Sequence, residues 1–262
     1  QYLLTRLDAE PDYLALLQRE LDDADVLVTY NGKVFDVPLL ATRFRLAGLR
    51  GTLETKTHLD LLFEIRRAFG RVWPDCRLST AEVRLLHFNR VQDLPGSEAP
   101  RAWLSWLRRG TIDPLARVLV HNLWDLLSLP ALVRSMDMVH RAPAAAGADV
   151  RALAGHYRRR GDKLRALKLL EANRDELPSQ GLLELASLCR QRGDRGQALE
   201  IWNALAARGV PQAIDALAKH LEHREGSYRA ALAMAQRLPP GPERDRRCAR
   251  LNGRLGKRTG TS

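Results

Sequence analysis

Tyr30-Asn31-Gly32-Lys33-Val34-Phe35-Asp36-Val37-Pro38-Leu39-Leu40 is the stretch on which the fold reading turns. It follows Val26-Leu27-Val28-Thr29, and with Tyr30 these residues make the continuous apolar, β-branched run of a buried strand. Asn31-Gly32 marks a turn. Pro38 near a start and Gly48 near a stop bound a helix over about 37–47. A strand thus delivers a polar turn, then Phe35 to anchor that turn in the core, then Asp36 at the mouth of a helix. Two readings of Asp36 are open: an ordinary helix cap, where Asp is favoured, or a carboxylate facing a cleft.

Upstream, Tyr2–Leu4 reads as a short strand, and Pro11 with Tyr13, Leu14, Leu17 and Leu21 reads as an amphipathic helix. The chain opens without Met in that apolar run, as a sequence lacking an upstream part would. Downstream, Thr57–Leu62 is either a strand or a helix start, and 61–69 looks helical. Residues 78–87 predict a helix capped by Ser79 or Thr80, and Gln92–Ser97 a loop. Trp103 and Trp106 lie on a short helix that they help to pack. A long apolar helix runs from Pro114 to about Met138, with a kink expected at Pro130. Residues 141–149 are small and linker-like, which sets a domain boundary.

Beyond it lies an internal repeat. Leu153-Ala154, Leu185-Ala186 and Leu217-Ala218 are 32 residues apart, as are Ala166, Ala198 and Ala230. Gly161-Asp162, Gly193-Asp194 and Glu225-Gly226 keep the same period. Helix, glycine turn, helix at this period predicts a helical solenoid over 150–238 similar to tetratricopeptide-type repeats. The Arg-, Gly- and Pro-rich stretch 239–262 is expected to be a basic, disordered tail.

Composition narrows the class. At 45% hydrophobic residues the 262-residue chain can bury a sizeable core. It has no uninterrupted apolar window of about 18 residues and no signal-peptide pattern at its start. Cys76, Cys189 and Cys248 form no CxxC pair, which argues against a disulfide framework or zinc site and suits a reducing cytoplasm. The net charge of +11 suits a polyanionic partner. Arg outnumbers Lys 36 to 6, a bias that a GC-rich genome also produces, so charge alone leaves both readings open.

A second stretch bears chemistry: His121-Asn122-Leu123-Trp124-Asp125-Leu126-Leu127-Ser128-Leu129. His121 and Asp125 are four apart and share a helix face. They suit a metal ligand beside a proton acceptor, or a structural hydrogen bond.

Taken together, Asn31–Leu40, His58–Leu62, the run from Arg90 through Asp93 to Pro95-Gly96, and His121–Leu129 resemble the DEDD exonuclease superfamily, in particular its YprB-type ribonuclease H-like branch. The resemblance covers about residues 1–137. It implies an α/β ribonuclease H-like fold, a mixed β-sheet flanked by helices, at 1–140, before the all-α helical-repeat domain. It implies 3′–5′ exonucleolytic hydrolysis of DNA or RNA with two Mg²⁺ or Mn²⁺ ions. Asp36 and Asp125 match metal ligands and His121 matches the general base. Asn31, Lys33, Asn122 and Arg90 are the expected substrate contacts. Asp60, Glu82, Arg90 again and Asp93 are candidates for support of the site or contact with the strand, or for caps and surface ion pairs. The family also needs an Asp-x-Glu pair on its first strand. Asp8-Ala9-Glu10 has that spacing but sits in a polar turn before Pro11, so the pair is expected to be missing and the fragment inactive. The competing class is a non-catalytic nucleic-acid-binding protein, or a scaffold whose repeats dock a protein partner.

Overall fold

A computed structural model describes residues 1–49, 53–91 and 93–259. Gln92 of the expected loop and residues 260–262 of the expected tail lie outside the described residues. The chain divides into two compact units, Gln1–Asp149 and Val150–Ser262.

In the first unit, helix α1 (Glu10–Asp23) leads to strand β1 (Val26–Thr29), helix α2 (Asp36–Leu46), strand β2 (Thr57–Asp60) and helix α3 (Leu61–Phe69). Both readings of 57–62 are realised in succession, a strand that hands over to a helix at Asp60. The strands pair in parallel with Val26 opposite Thr57 and Thr29 opposite Asp60. The expected mixed sheet is, among the described residues, only this two-stranded parallel one. Tyr2–Leu4 is not a strand. The indole N–H of Trp103 donates to Leu4 O at 2.9 Å and that of Trp106 to Thr5 O at 3.3 Å, so carbonyls that a ladder would use are bound by tryptophans.

Leu14 and Phe44 pack with Leu17, Leu21, Leu27 and Leu40 between α1, α2 and β1. Helix α4 (Leu78–Ala81) widens at once into a π-helical turn, Glu82–Leu86, that ends at His87 in the left-handed region. Neither Ser79 nor Thr80 caps it. The Thr80 hydroxyl donates to Asp75 instead. Helix α5 (Ala99–Arg109) precedes helix α6 (Asp113–Arg141), which runs unbroken through Pro130. The C-terminal half of α6 buries Leu132, Met136 and Val139, and α3 buries Leu61, Ile65 and Phe69. Helix α6 packs on α3, on α5 and on the π turn, and carries Asp125 near its middle.

The second unit is all helix: α7 (Val150–Arg159), α8 (Lys163–Ala172), α9 (Ser179–Arg192), α10 (Arg195–Ala207), α11 (Pro211–His223), α12 (Tyr228–Gln236) and α13 (Pro242–Thr259). Successive helices pack on one another. Leu153-Ala154, Leu185-Ala186 and Leu217-Ala218 are all buried. The glycines with positive φ that reverse the chain between paired helices are Gly161, Gly193 and Gly226, so the last turn comes one residue late. The buried alanine of the third pair is accordingly Ala231, with Ala230 exposed. The expected disordered tail is instead a helix over Pro242–Thr259. Leu251 is fully buried against Ala218, Ala231 and Ala235. Arg247 pairs with Asp215, and Arg250 pairs with Glu222 at 2.7 Å. These anchors outweigh a composition that by itself disfavours order.

Candidate active site

The turn after β1 is built by one carboxylate. Asp60, at the last residue of β2, is 2% exposed. It accepts the backbone N–H of Asn31 at 2.7 Å and of Lys33 at 3.0 Å, and caps α3 through Leu62 N–H at 3.1 Å. Asn31 takes the left-handed conformation, with φ of 68°. Gly32 is required by space, since a Cβ there would lie 2.6 Å from Thr29 Cβ. Thr29 Oγ1 lies 2.8 Å from His58 Nε2. Burial holds His58 below the ordinary imidazole range, and Lys33 adds to that shift. The Tyr30 hydroxyl donates to Cys76 O at 2.6 Å and ties β1 to the loop before α4.

This turn sets Asp36 at the first residue of α2, one position past the cap residue, Phe35. Asp36 is therefore not the cap. Its carboxylate is exposed and has no partner among the described residues, and at a helix N-terminus the negative charge is favoured. Phe35 is a correction to the expected core anchor, because it is 65% exposed. The anchoring is done by the Asp60 hydrogen bonds.

A cleft of about 720 Å³ has Asn31 and Asp36 on one wall and Asn122 and Asp125 of α6 on the other. Arg66, Asp75 and Arg77 also line it. A neighbouring opening of about 430 Å³ shares Arg77 and Asp125 and is lined by Arg90, Asp93, Gly96 and His121. Lys33 lines neither, and its contribution is the N–H given to Asp60.

Of the readings open for Arg90, substrate contact or ion pair, the structure shows the ion pair. Its guanidinium is bound by three carboxylates: Glu82 at 2.5 and 2.8 Å, Asp125 at 2.6 Å and Asp93 at 3.1 Å. With its side chain only 8% exposed, it positions the site and has no fork free for a substrate phosphate. The π turn places Glu82, fully buried, under this guanidinium, and the Ser128 hydroxyl closes on the same carboxylate. His121 Nδ1 lies 2.8 Å from both Asp93 oxygens, and its Nε2 lies 3.6 Å from Asp125 Oδ2. Burial alone would raise the Asp93 carboxyl, but the hydrogen bonds from His121 and Arg90 hold it below its ordinary value.

Sequence reasoning missed Arg66 and Arg77. Both are exposed, line the cleft and make no side-chain ion pair among the described residues, so they are the cations available to a phosphate. No motif marks them: Arg66 reaches the cleft from α3, and Arg77 from the residue before α4.

Asp93 gives a pH prediction. Its folded value lies below the ordinary 3.8, so it stabilises the fold above that pH and loses its contribution as pH falls further. Melting temperatures measured from pH 6 to 3 should hold until near 4 and then drop, and Asp93→Asn should flatten that drop. An equal fall in the variant would remove Asp93 as its cause.

As metal donors, Asp36 and Asp125 are hard oxygens of the kind Mg²⁺ and Mn²⁺ prefer. They fit such an ion in kind and not in number. Among the described residues no group of three or more His, Cys, Asp or Glu side chains is placed to hold a metal.

Residues 1–137 match the family model of the RNase_H superfamily, and the chain belongs to that superfamily. It is also 30% identical over 249 residues to a Bacillus subtilis (strain 168) protein described as "Uncharacterized protein YprB". The aligned region takes in 90% of this chain and 60% of that relative, so the chain spans less than two thirds of its length. No solved structure gives a significant match. Among the described residues no helix is long and apolar enough to cross a membrane.

Proposed function

We propose that this chain carries most of a metal-dependent nucleic-acid phosphodiesterase of the 3′–5′ exonuclease type. The observation that supports this reading is that Asp36 and Asp125, far apart in sequence, line one cleft. In this reading residues 1–140 form the ribonuclease H-like domain, 141–149 the linker and 150–238 tetratricopeptide-like repeats. Three free cysteines suit a reducing cytoplasm.

Asp36 and Asp125 would hold Mg²⁺ or Mn²⁺ together with further ligands, and the ion would supply the Lewis acidity that activates water and offsets charge on the leaving oxygen. The rest follows from side chains. Asp93 is ionised and accepts at both oxygens, so His121 carries its ring proton on Nδ1 and donates it there. Nε2 is left with its lone pair beside Gly96, at the opening shared with Asp125. It is the atom that takes a proton from the attacking water. Arg90 keeps Asp125 from swinging by holding Oδ1, while Arg66 and Arg77 receive the phosphate. In this reading Asn31 and Asn122, which line the same cleft, bond the sugar or base next to it.

The test is release of 3′-terminal mononucleotides from an end-labelled oligonucleotide, with Mn²⁺ and then with EDTA. The protein should include any residues encoded before Gln1. Metal-dependent release from the 3′ end is expected, and its absence in that longer protein would end the hydrolytic reading. One observation favours a second reading. Asp125 is already paired with Arg90, and no three-ligand cluster stands among the described residues. A non-catalytic nucleic-acid-binding protein, with its repeats docking a protein partner, would bind the oligonucleotide and leave it intact.

A further inference from the structure

The two units differ in charge. Residues 1–149 carry 19 Lys and Arg against 19 Asp and Glu, and residues 150–262 carry 23 against 12. The whole excess of +11 therefore sits in the helical unit. A genome that favours Arg codons would act on both units alike, so base composition does not account for the difference.

Part of that charge converges. Between α9, α10 and α11 lies a groove of about 580 Å³ floored by Trp202 and lined by Arg190, Arg195, Lys219, His220, His223 and Arg224. Arg190, Arg195 and Arg224 are exposed and make no ion pair among the described residues. The acids nearby are already occupied. Asp215, which also lines the groove, is held by Lys219 at 2.8 Å and by Arg247. Glu222 is held by Arg250, and Glu225 lies 3.0 Å from His220. A separate, largely apolar opening of about 270 Å³ between α8 and α9 has Lys163 and Arg192 on its lining.

We infer that the helical unit is itself a nucleic-acid-binding module, whose α9–α11 groove takes the phosphodiester backbone. Three unpaired guanidiniums beside neutralised carboxylates suit bidentate phosphate contacts. Planar guanidiniums that stand unpaired at three successive helices, in a unit that carries the whole excess charge, fit a polymer of bidentate phosphates better than an acidic peptide. The inference rests on the proposed reading only for the identity of the polymer. It adds backbone contacts from this unit to those proposed for Arg66 and Arg77 in the first.

The test is fluorescence anisotropy of a labelled single-stranded DNA oligonucleotide with the full chain in EDTA, across a salt series. EDTA removes hydrolysis, so failure of the nuclease reading leaves this result standing, and the reverse also holds. Arg190→Ala/Arg195→Ala/Arg224→Ala removes three phosphate-binding guanidiniums. It should lower the slope of log K against log salt by about 2, and weaken binding about 100-fold at 0.1 M salt. The matching triple Lys variant keeps the charge and should keep the slope. An unchanged slope in the Ala variant would overturn the inference. So would polyglutamate of equal charge displacing the oligonucleotide from the full chain as well as unlabelled DNA does, which would make the groove an acidic-peptide site.

Discussion

Arg90→Ala is expected to destabilise the first unit by about 3–5 kcal/mol, the cost of removing one partner from a buried ion pair. Glu82 is 1% exposed at its side chain and would keep only the Ser128 hydroxyl as a hydrogen-bonding side chain. Asp93 and Asp125 would lose the cation that holds them together. For a unit of this size the loss corresponds to a fall of about 10 °C or more in melting temperature. Differential scanning calorimetry reads it directly, and a shift below about 2 °C would show the network to be of no energetic weight. Arg90→Lys keeps one charge but not the planar fork, and should recover only part of the loss.

Asp36→Asn is expected to act in the opposite pattern, with chemistry lost and the fold untouched. A catalytic metal supplies several kcal/mol at the transition state, and each 1.36 kcal/mol is tenfold in rate. Metal-dependent hydrolysis should therefore fall by about 1000-fold or more. The carboxylate is exposed and unpartnered among the described residues, so stability should stay within about 0.5 kcal/mol. His121→Ala should cost about 100- to 10,000-fold, the range for a positioned general base. Full activity in Asp36→Asn, measured in the longer protein that hydrolyses, would reject the site.

The strand–turn–helix of residues 26–46 was legible because its signals are local. A β-branched run, an Asn-Gly turn and a proline in the first helical turn each act within a few residues. The types of the site residues were legible for the same reason, while their pairing was not. Arg90 looks like a phosphate contact until Glu82 arrives beneath it, and Glu82 arrives only because α4 opens into a π turn that no residue pattern announces. Phe35 looks like an anchor because large apolar residues usually bury. Here the turn is fastened by Asp60, which is 29 residues from Asn31 in sequence. The tail looks disordered because its composition is polar, whereas its order comes from Leu251 and two arginines that meet partners on α11 and α12. The third repeat slips by one residue because a turn tolerates an insertion that a packed helix does not.

The close approach of Gly32 to Thr29 binds two positions into one unit of inheritance. Alanine at 32 would put its methyl carbon against Thr29, and trimming Thr29 to serine or alanine leaves the offending Cβ at the same 2.6 Å. Only glycine at 29 would make room, at the expense of strand preference and of the contact with His58. Substitutions at the two sites will not add, so a side chain can enter at 32 only in a background that already carries glycine at 29.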